Sequence, residues 1–204
     1  MSAAWDFRLP GDEPVMQALN GTGLRGLDAL AAAASSPWFG LPVLLVMAVW
    51  LLVRRTRAPG WALLQLFLAV GVTDFVGSHL LKPWVGRVRP CFSGFAEHVR
   101  LMVVVGHGSP SMPSLHAANA FAVAVTLRYL APETAVVMFP VAAVIALSRI
   151  FVGVHWPSDV LLGSTYGVLV AVGLERLVRK LRERGAAPAV VAPAEAQPSS
   201  RSLP

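Results

Sequence analysis

The chain has 204 residues, of which 55% are hydrophobic and only 14% charged, with a formal net charge of +6. Ordinary globular chains carry roughly 25% charged residues, so the composition excludes a typical soluble domain and indicates a membrane protein. The single Cys91 excludes an internal disulfide, and the basic residues gather at the ends of apolar runs and in the tail, a membrane-topology pattern that argues against a nucleic-acid partner.

In chain order, Met1 to Pro14 is polar, with Asp6, Asp12 and Glu13, and does not read as a cleavable signal. Residues 12–34 alternate polar and apolar positions but are interrupted by Gly21, Gly23 and Gly26, a pattern of short helices lying at the membrane interface. The first predicted span is Trp38 to Val53, flanked by Pro37 and by Arg54, Arg55 and Arg57. It is short for a ~30 Å hydrocarbon core, a deficit that terminal Trp and Arg offset by anchoring and snorkelling. Further spans are predicted over 61–81, 114–130, 134–147 and 159–177. The resulting fold class is all-α, a polytopic transmembrane helix bundle of about five spans. An N-terminal interfacial segment covers 1–37, the membrane domain 38–180, and a disordered, Ala/Pro/Ser-rich tail 181–204.

Arg54, Arg55 and Arg57, Arg128, and the run from Arg176 to Arg184 all fall on one side of a five-span chain. That side is predicted to be cytoplasmic. The segments 82–113 and 148–158 then face outwards, which predicts a plasma-membrane protein of bacterial type with its site on the outer face.

The polar stretch Ser148-Arg149-Ile150-Phe151-Val152-Gly153-Val154-His155-Trp156-Pro157-Ser158-Asp159 lies between two long apolar segments. Ionisable side chains there are costly in lipid and must face water or a site. Asp159 follows His155 by four residues, so a helix beginning near Pro157 lets the carboxylate reach one imidazole nitrogen, fixing the tautomer and raising the basicity of the other. Arg149 supplies a donor fork suited to phosphate or carboxylate. Two readings of this stretch stand: an oriented nucleophile or base beside an anion clamp, or a loop with a helix-capping Ser158, an interfacial Trp156 and a snorkelling Arg149.

Upstream, Lys82-Pro83-Trp84-Val85-Gly86-Arg87-Val88-Arg89-Pro90 crowds a lysine and two arginines into a predicted loop. Like charges this close repel unless an anion sits among them; the alternative is a basic loop touching lipid headgroups. In Pro113-Ser114-Leu115-His116, a helix starting at Ser114 aims backbone N–H groups and its positive end at a bound anion, or Ser114 is simply an N-cap. His116 in the first turn is placed to hand a proton to a leaving oxygen. All three segments land on one membrane face. Together they make the inventory of a phosphoryl-transfer site: cations for the phosphate, one histidine to attack and one to protonate. The paired carboxylates that Mg²⁺ sites usually need are missing from this inventory, so no metal and no cofactor is expected.

These segments resemble the three motifs of the type-2 phosphatidic acid phosphatase superfamily, K-x6-R-P, P-S-G-H and S-R-x5-H-x3-D. The first is Lys82 to Arg89-Pro90, and the third is Ser148-Arg149 through His155 to Asp159. The second reads Pro113-Ser114-Leu115-His116, with Leu115 where the family usually has Gly, a departure that bears on the backbone approach to the phosphate. The resemblance implies a metal-independent phosphatase acting through a phosphohistidine. By the same analogy His155 is the nucleophile, Asp159 its orienting partner and His116 the general acid, while Lys82, Arg89, Ser114 and Arg149 hold the phosphoryl oxygens. Arg87, Asp74, His79 and His107 match no motif position; Asp74 is read as a supporting partner and His107 as loop. The expected substrate is a membrane lipid phosphate, foremost undecaprenyl diphosphate. The alternatives are phosphatidylglycerol phosphate, phosphatidic acid, lipid A 1-phosphate, or a non-catalytic anionic-lipid binder or flippase.

Overall fold

The computed structural model describes residues 5–54, 59–106 and 108–185, and among these the regular elements are helical throughout. Two short helices, α1 (Asp12–Asn20) and α2 (Arg25–Ser35), precede the long α3 (Pro37–Val53). Ser36 ends α2 and caps α3, its Oγ accepting from the Trp38 N–H at 3.2 Å with Pro37 at the first helical position. The chain bends there by 56°. Helix α4 (Pro59–Val76) runs without a break through a π-helical turn, Gly77–Leu81, into the four-residue α5 (Lys82–Val85). After an irregular segment come α6 (Leu115–Leu130), α7 (Ala135–Phe151) and α8 (Pro157–Gly185).

Helix α6 occupies the centre, packed against α4, α7 and α8. Its inward positions are small, with Ala117, Ala118, Ala122 and Ala124 all buried, so neighbouring backbones approach closely as membrane bundles require. A Cβ at Gly163 of α8 would lie 2.4 Å from the Ser114 carbonyl oxygen; only a residue without a side chain seats α8 against the start of α6. Leu51, Leu66, Leu127 and Met138 form one core between α3, α4, α6 and α7, and Met16, Phe95, Ala117, Ile150, Trp156 and Val160 form a second beside the polar cluster.

Among the described residues three helical stretches are long and apolar enough to cross a membrane, Gly60–Val85, Pro132–Phe151 and Pro157–Arg184, with a fourth if the bent α2–α3 pair counts as one span. The five-span expectation therefore meets this test only in part. The missing member is α6, whose 16 residues make about 24 Å of helix. That is short of the ~30 Å hydrocarbon core, and its central place among α4, α7 and α8 shields it from lipid. By contrast Leu41, Leu45, Phe67, Leu161 and Leu169 on the outer helices are exposed, an apolar periphery suited to lipid. Arg54 lies over Trp50 at 4.8 Å and Arg182 over Trp61 at 5.8 Å, aromatic and cationic anchors of one membrane edge. This is an integral-membrane helical protein.

The N-terminal helices are more than an interfacial appendage. Asn20 is buried and donates to the carbonyls of Arg100 (2.8 Å) and Phe151 (2.7 Å), while its Oδ1 accepts from the Arg100 N–H at 2.7 Å. One side chain thereby ties α1, the segment before α6 and the end of α7 together. Helix α7 also extends a turn beyond the predicted 147, so Ser148 and Arg149 are helical rather than loop residues, as is Lys82 in α5.

Candidate active site

Helix α8 begins at Pro157, as the His155 to Asp159 spacing requires. Asp159 reaches back so that its Oδ2 accepts the Trp156 N–H at 2.8 Å, the carboxylate half of a capping box. The same oxygen lies 3.5 Å from His155 Nδ1 and accepts a short hydrogen bond from Ser111 Oγ, which is itself 3.5 Å from Nδ1. On the other side of the ring, Nε2 lies 3.3 Å from Arg89 Nη1. A guanidinium has only donors, so Nε2 is the unprotonated acceptor and Nδ1 carries the proton toward Asp159 and Ser111. His155 is buried. Burial first, then the neighbouring Arg89, Lys82, Arg149 and His116 charges, hold its pKa well below the usual 6.5. A neutral imidazole with a free lone pair on Nε2 is the nucleophilic form.

Gly153 makes the turn that delivers this ring. Its φ of +79° is left-handed, and a Cβ there would lie 2.7 Å from the Arg100 carbonyl oxygen. The reversal lets the N–H groups of Val154 and His155 both bond the Arg149 carbonyl, each at 3.3 Å.

Of the predicted phosphate ligands, Lys82, Arg89 and Arg149 converge on one cavity of about 690 Å³, whose walls also include His116 and His155. Lys82 Nζ donates to the Pro110 carbonyl at 2.5 Å; Arg89 donates to the carbonyls of Ser109 (2.9 Å) and Val154 (2.9 Å). Arg149 Nη1 is held by the Ser35 carbonyl at 2.8 Å and by the Ser35 hydroxyl, while its Nε is buried without a partner among the described residues. Ser114 is not the side-chain cap that the simpler reading expected: its N–H bonds the Asp159 carbonyl at 3.0 Å, and its Oγ is buried and unpartnered among the described residues. Those unmatched polar atoms are costly unless a ligand completes them.

Arg87 departs from the sequence reading. It was grouped with Lys82 and Arg89 around one anion, but it points away from the cavity and its anions are protein carboxylates. Fully buried, it donates to Asp159 Oδ1 at 2.6 Å, Asp12 Oδ2 at 2.5 Å, Ser158 Oγ at 2.8 Å and the Phe7 carbonyl at 3.1 Å. The guanidinium also lies 4.8 Å from the Phe7 ring and 5.4 Å from Trp156, within cation–π range. Asp12 completes the hub by accepting from the Ser158 N–H (3.0 Å) and Ser158 Oγ (2.9 Å). Burial alone would raise the pKa of Asp12, but Arg87, Ser158 and the Leu9 N–H outweigh it and hold it below 3.8. Trp156 and Ser158 are accordingly hub members rather than an interfacial anchor and a simple cap. Ser111 and Asp12 escaped sequence reasoning, because only tertiary contact joins residues 48 and 75 positions from their partners. His79 lies outside this group, stacked on Phe75 at 4.6 Å; His107 is outside the described residues.

A buried, oriented histidine among cations in a membrane-embedded helical bundle defines a phosphate-handling membrane enzyme. The chain belongs to the PAP2 superfamily, whose model matches residues 62–183. It is 26% identical over 175 residues to phosphatidylglycerophosphatase B of Bacillus subtilis, covering 79% of this chain and 78% of the relative. It is 34% identical over 157 residues to decaprenylphosphoryl-5-phosphoribose phosphatase of Mycolicibacterium smegmatis, covering 68% and 82%. The fold matches the crystal structures of LpxE from Aquifex aeolicus (TM-score 0.68, 24% identity, 84% and 97% covered) and of the PAP2-type phosphatidylglycerolphosphate phosphatase from Bacillus subtilis (TM-score 0.65, 24% identity, 83% and 85% covered). The protein is thus a membrane phosphatase of the PAP2 family.

Proposed function

We propose that the chain hydrolyses the terminal phosphate of a membrane lipid through a phosphohistidine on His155. The observation that carries this is the setting of the ring: Nε2 faces the donor-only Arg89 Nη1 at 3.3 Å, which favours a lone pair there, and Nδ1 lies 3.5 Å from both Asp159 Oδ2 and Ser111 Oγ. Lys82, Arg89 and Arg149 neutralise the phosphoryl oxygens, with Ser114 Oγ as a further donor. Nε2 attacks phosphorus as the bond to the leaving oxygen breaks, and His116 supplies that oxygen with a proton. Deprotonated His116 then takes a proton from water as it attacks the phosphohistidine, returning free phosphate and neutral His155. A cluster of cations repels a divalent metal ion and binds an anionic transition state, which supports metal-independent chemistry. The basic-loop bias supports a site on the outer face of a plasma membrane.

Among the expected substrates, we favour a lipid phosphomonoester over undecaprenyl diphosphate. The names of the relatives support this, each being a phosphatase of a phosphorylated lipid headgroup. The test is phosphate release by purified protein from phosphatidylglycerol phosphate, phosphatidic acid and undecaprenyl diphosphate, with excess chelator and with vanadate. Release should survive chelator, stop with vanadate, which copies the pentacoordinate state, and be fastest on a phosphomonoester. Loss of activity with chelator and recovery with Mg²⁺ would refute the metal-free mechanism, and binding without release would leave an anionic-lipid binder.

A further inference from the structure

Below the cations the same cavity carries a second, smaller polar group formed by Asp74, Ser78 and Asn119. Asn119 follows His116 by three residues on α6, about 4.5 Å further along the helix, and its Nδ2 donates to Asp74 Oδ1 at 3.2 Å. That is the one hydrogen bond this carboxylate side chain makes among the described residues. Asn119 Oδ1 is buried and accepts from nothing among them. An exposed carboxylate and a buried amide oxygen thus face one cavity with acceptor capacity left over, and the buried one is costly while unmatched. What they lack is a donor.

The surroundings restrict what that donor is. Lys82, Arg89, Arg149 and His116 line the cavity directly above, so a cationic group meets repulsion from them. A second phosphate attached directly to the first is brought toward Asp74 and meets repulsion there. A neutral hydroxyl meets neither. We propose that Asp74 and Asn119 form a headgroup subsite that binds a hydroxyl of the leaving alcohol, next to the carbon whose oxygen His116 protonates. The enzyme is thereby directed to phosphomonoesters of glycerol- or sugar-bearing lipids in preference to lipid diphosphates. The proposal rests on the phosphatase reading given above.

The test uses full-length protein in mixed micelles and two matched substrate pairs: phosphatidylglycerol phosphate against its analogue lacking the central hydroxyl, and a polyprenylphosphoryl ribose 5-phosphate against its dideoxy analogue. The readout is the ratio of kcat/KM within each pair. Since hydrogen bonds to a charged group discriminate strongly and a site built for a hydroxyl rejects the analogue lacking it, a ratio of about 10- to 100-fold is expected in at least one pair, and the pair that shows it separates glycerol from sugar. Asp74→Asn should lower that ratio several-fold and raise turnover of undecaprenyl diphosphate relative to the preferred monoester. Asn119→Leu is the second variant should the first not fold. A ratio near 1 in both pairs for the wild type, or a ratio that both variants retain, overturns the subsite while leaving the phosphatase standing. Failure of the wild type to release phosphate from any of these lipids overturns the phosphatase reading itself.

Discussion

The protein holds its acidic groups in two contrasting ways. Around Arg87, Asp12 and Asp159 are buried with every carboxylate oxygen engaged, by Arg87, Ser158, Ser111 and the N–H groups of Leu9, Trp156 and Ser158. Along the cavity, Asp74 is exposed to the open space and its carboxylate makes a single hydrogen bond among the described residues, at 3.2 Å. The first arrangement is complete in itself and admits no ligand; the second is incomplete and invites one. Positioning and recognition are therefore performed by the same residue type at opposite levels of one site, and the difference lies in how much of the hydrogen-bonding capacity the protein itself consumes.

The strongest way to break this comparison is to remove what the saturated hub is built to hold. His155→Ala should abolish the phosphoenzyme in a single-turnover experiment with labelled lipid phosphate. His116→Ala should slow its formation by roughly 10²–10⁴-fold and be rescued by a better leaving group. Label retained on His155→Ala would sink the assignment.

The contrast is sharpened next by stability. Arg87→Met leaves two buried carboxylates without their cation, a situation that costs about 3–5 kcal/mol. Asp74→Asn removes one partly satisfied, exposed charge and should stay within roughly 0.5 kcal/mol of wild type. Thermal unfolding of the two variants in the same detergent checks this pair. Comparable losses in both would mean that Asp74 is structural. A double-mutant cycle of Arg87→Met with Asp12→Asn should be strongly non-additive, since the two share one network.

How much of this was legible in the sequence follows from where each interaction lives. His155 and Asp159 are four residues apart with Pro157 between, so helix geometry alone placed the carboxylate beside the ring. Lys82, Arg89 and Arg149 were legible as residue types beside apolar runs and line one cavity, whereas Ser114 lies fully buried at the start of α6 rather than in its wall. Arg87 was misjudged because local charge crowding says nothing about a carboxylate at position 12, and the same distance hid the anchoring of α1 and α2. The span predicted over 114–130 is present as the helix α6, but its 16 residues are short for a crossing that takes about 20.

Leu115 offers a smaller test. A Cβ at Gly77, in the π-helical turn just before Lys82, would meet Leu115 Cδ2 at 2.3 Å. The leucine that replaces the family's usual glycine therefore occupies space that Gly77 leaves open. Overpacking typically costs about 1–3 kcal/mol, and because the clash is with a terminal methyl that can turn aside, Gly77→Ala should destabilise the protein by about 1 kcal/mol, the low end of that range. Leu115→Gly should relieve most of it in the double variant. If Gly77→Ala costs the same with and without Leu115, measured by thermal unfolding and by vanadate affinity, the two positions are not coupled.

The smallest expected effect distinguishes the members of the hub by pH. His155 is held well below its usual 6.5 by burial and by surrounding cations, so as pH falls past 6.5 the unfolded chain takes up a proton that the folded one refuses. Stability from this residue is fully present above about 6.5 and is lost as pH falls toward the lower folded value, by at most about 1.4 kcal/mol per pH unit for one proton. Asp12 is held below 3.8, so its contribution persists above that value and is lost only as pH falls through its still lower folded value. The His155 window opens at about 6.5 and the Asp12 window only at about 3.8, so between these values His155 titrates without Asp12. His155→Asn should flatten the decline in melting temperature just below pH 6.5 while leaving the steeper fall below about pH 4, and Asp12→Asn should do the reverse. A decline below pH 6.5 that persists in His155→Asn would place the titrating group elsewhere and remove the argument that the nucleophile is kept neutral by its burial.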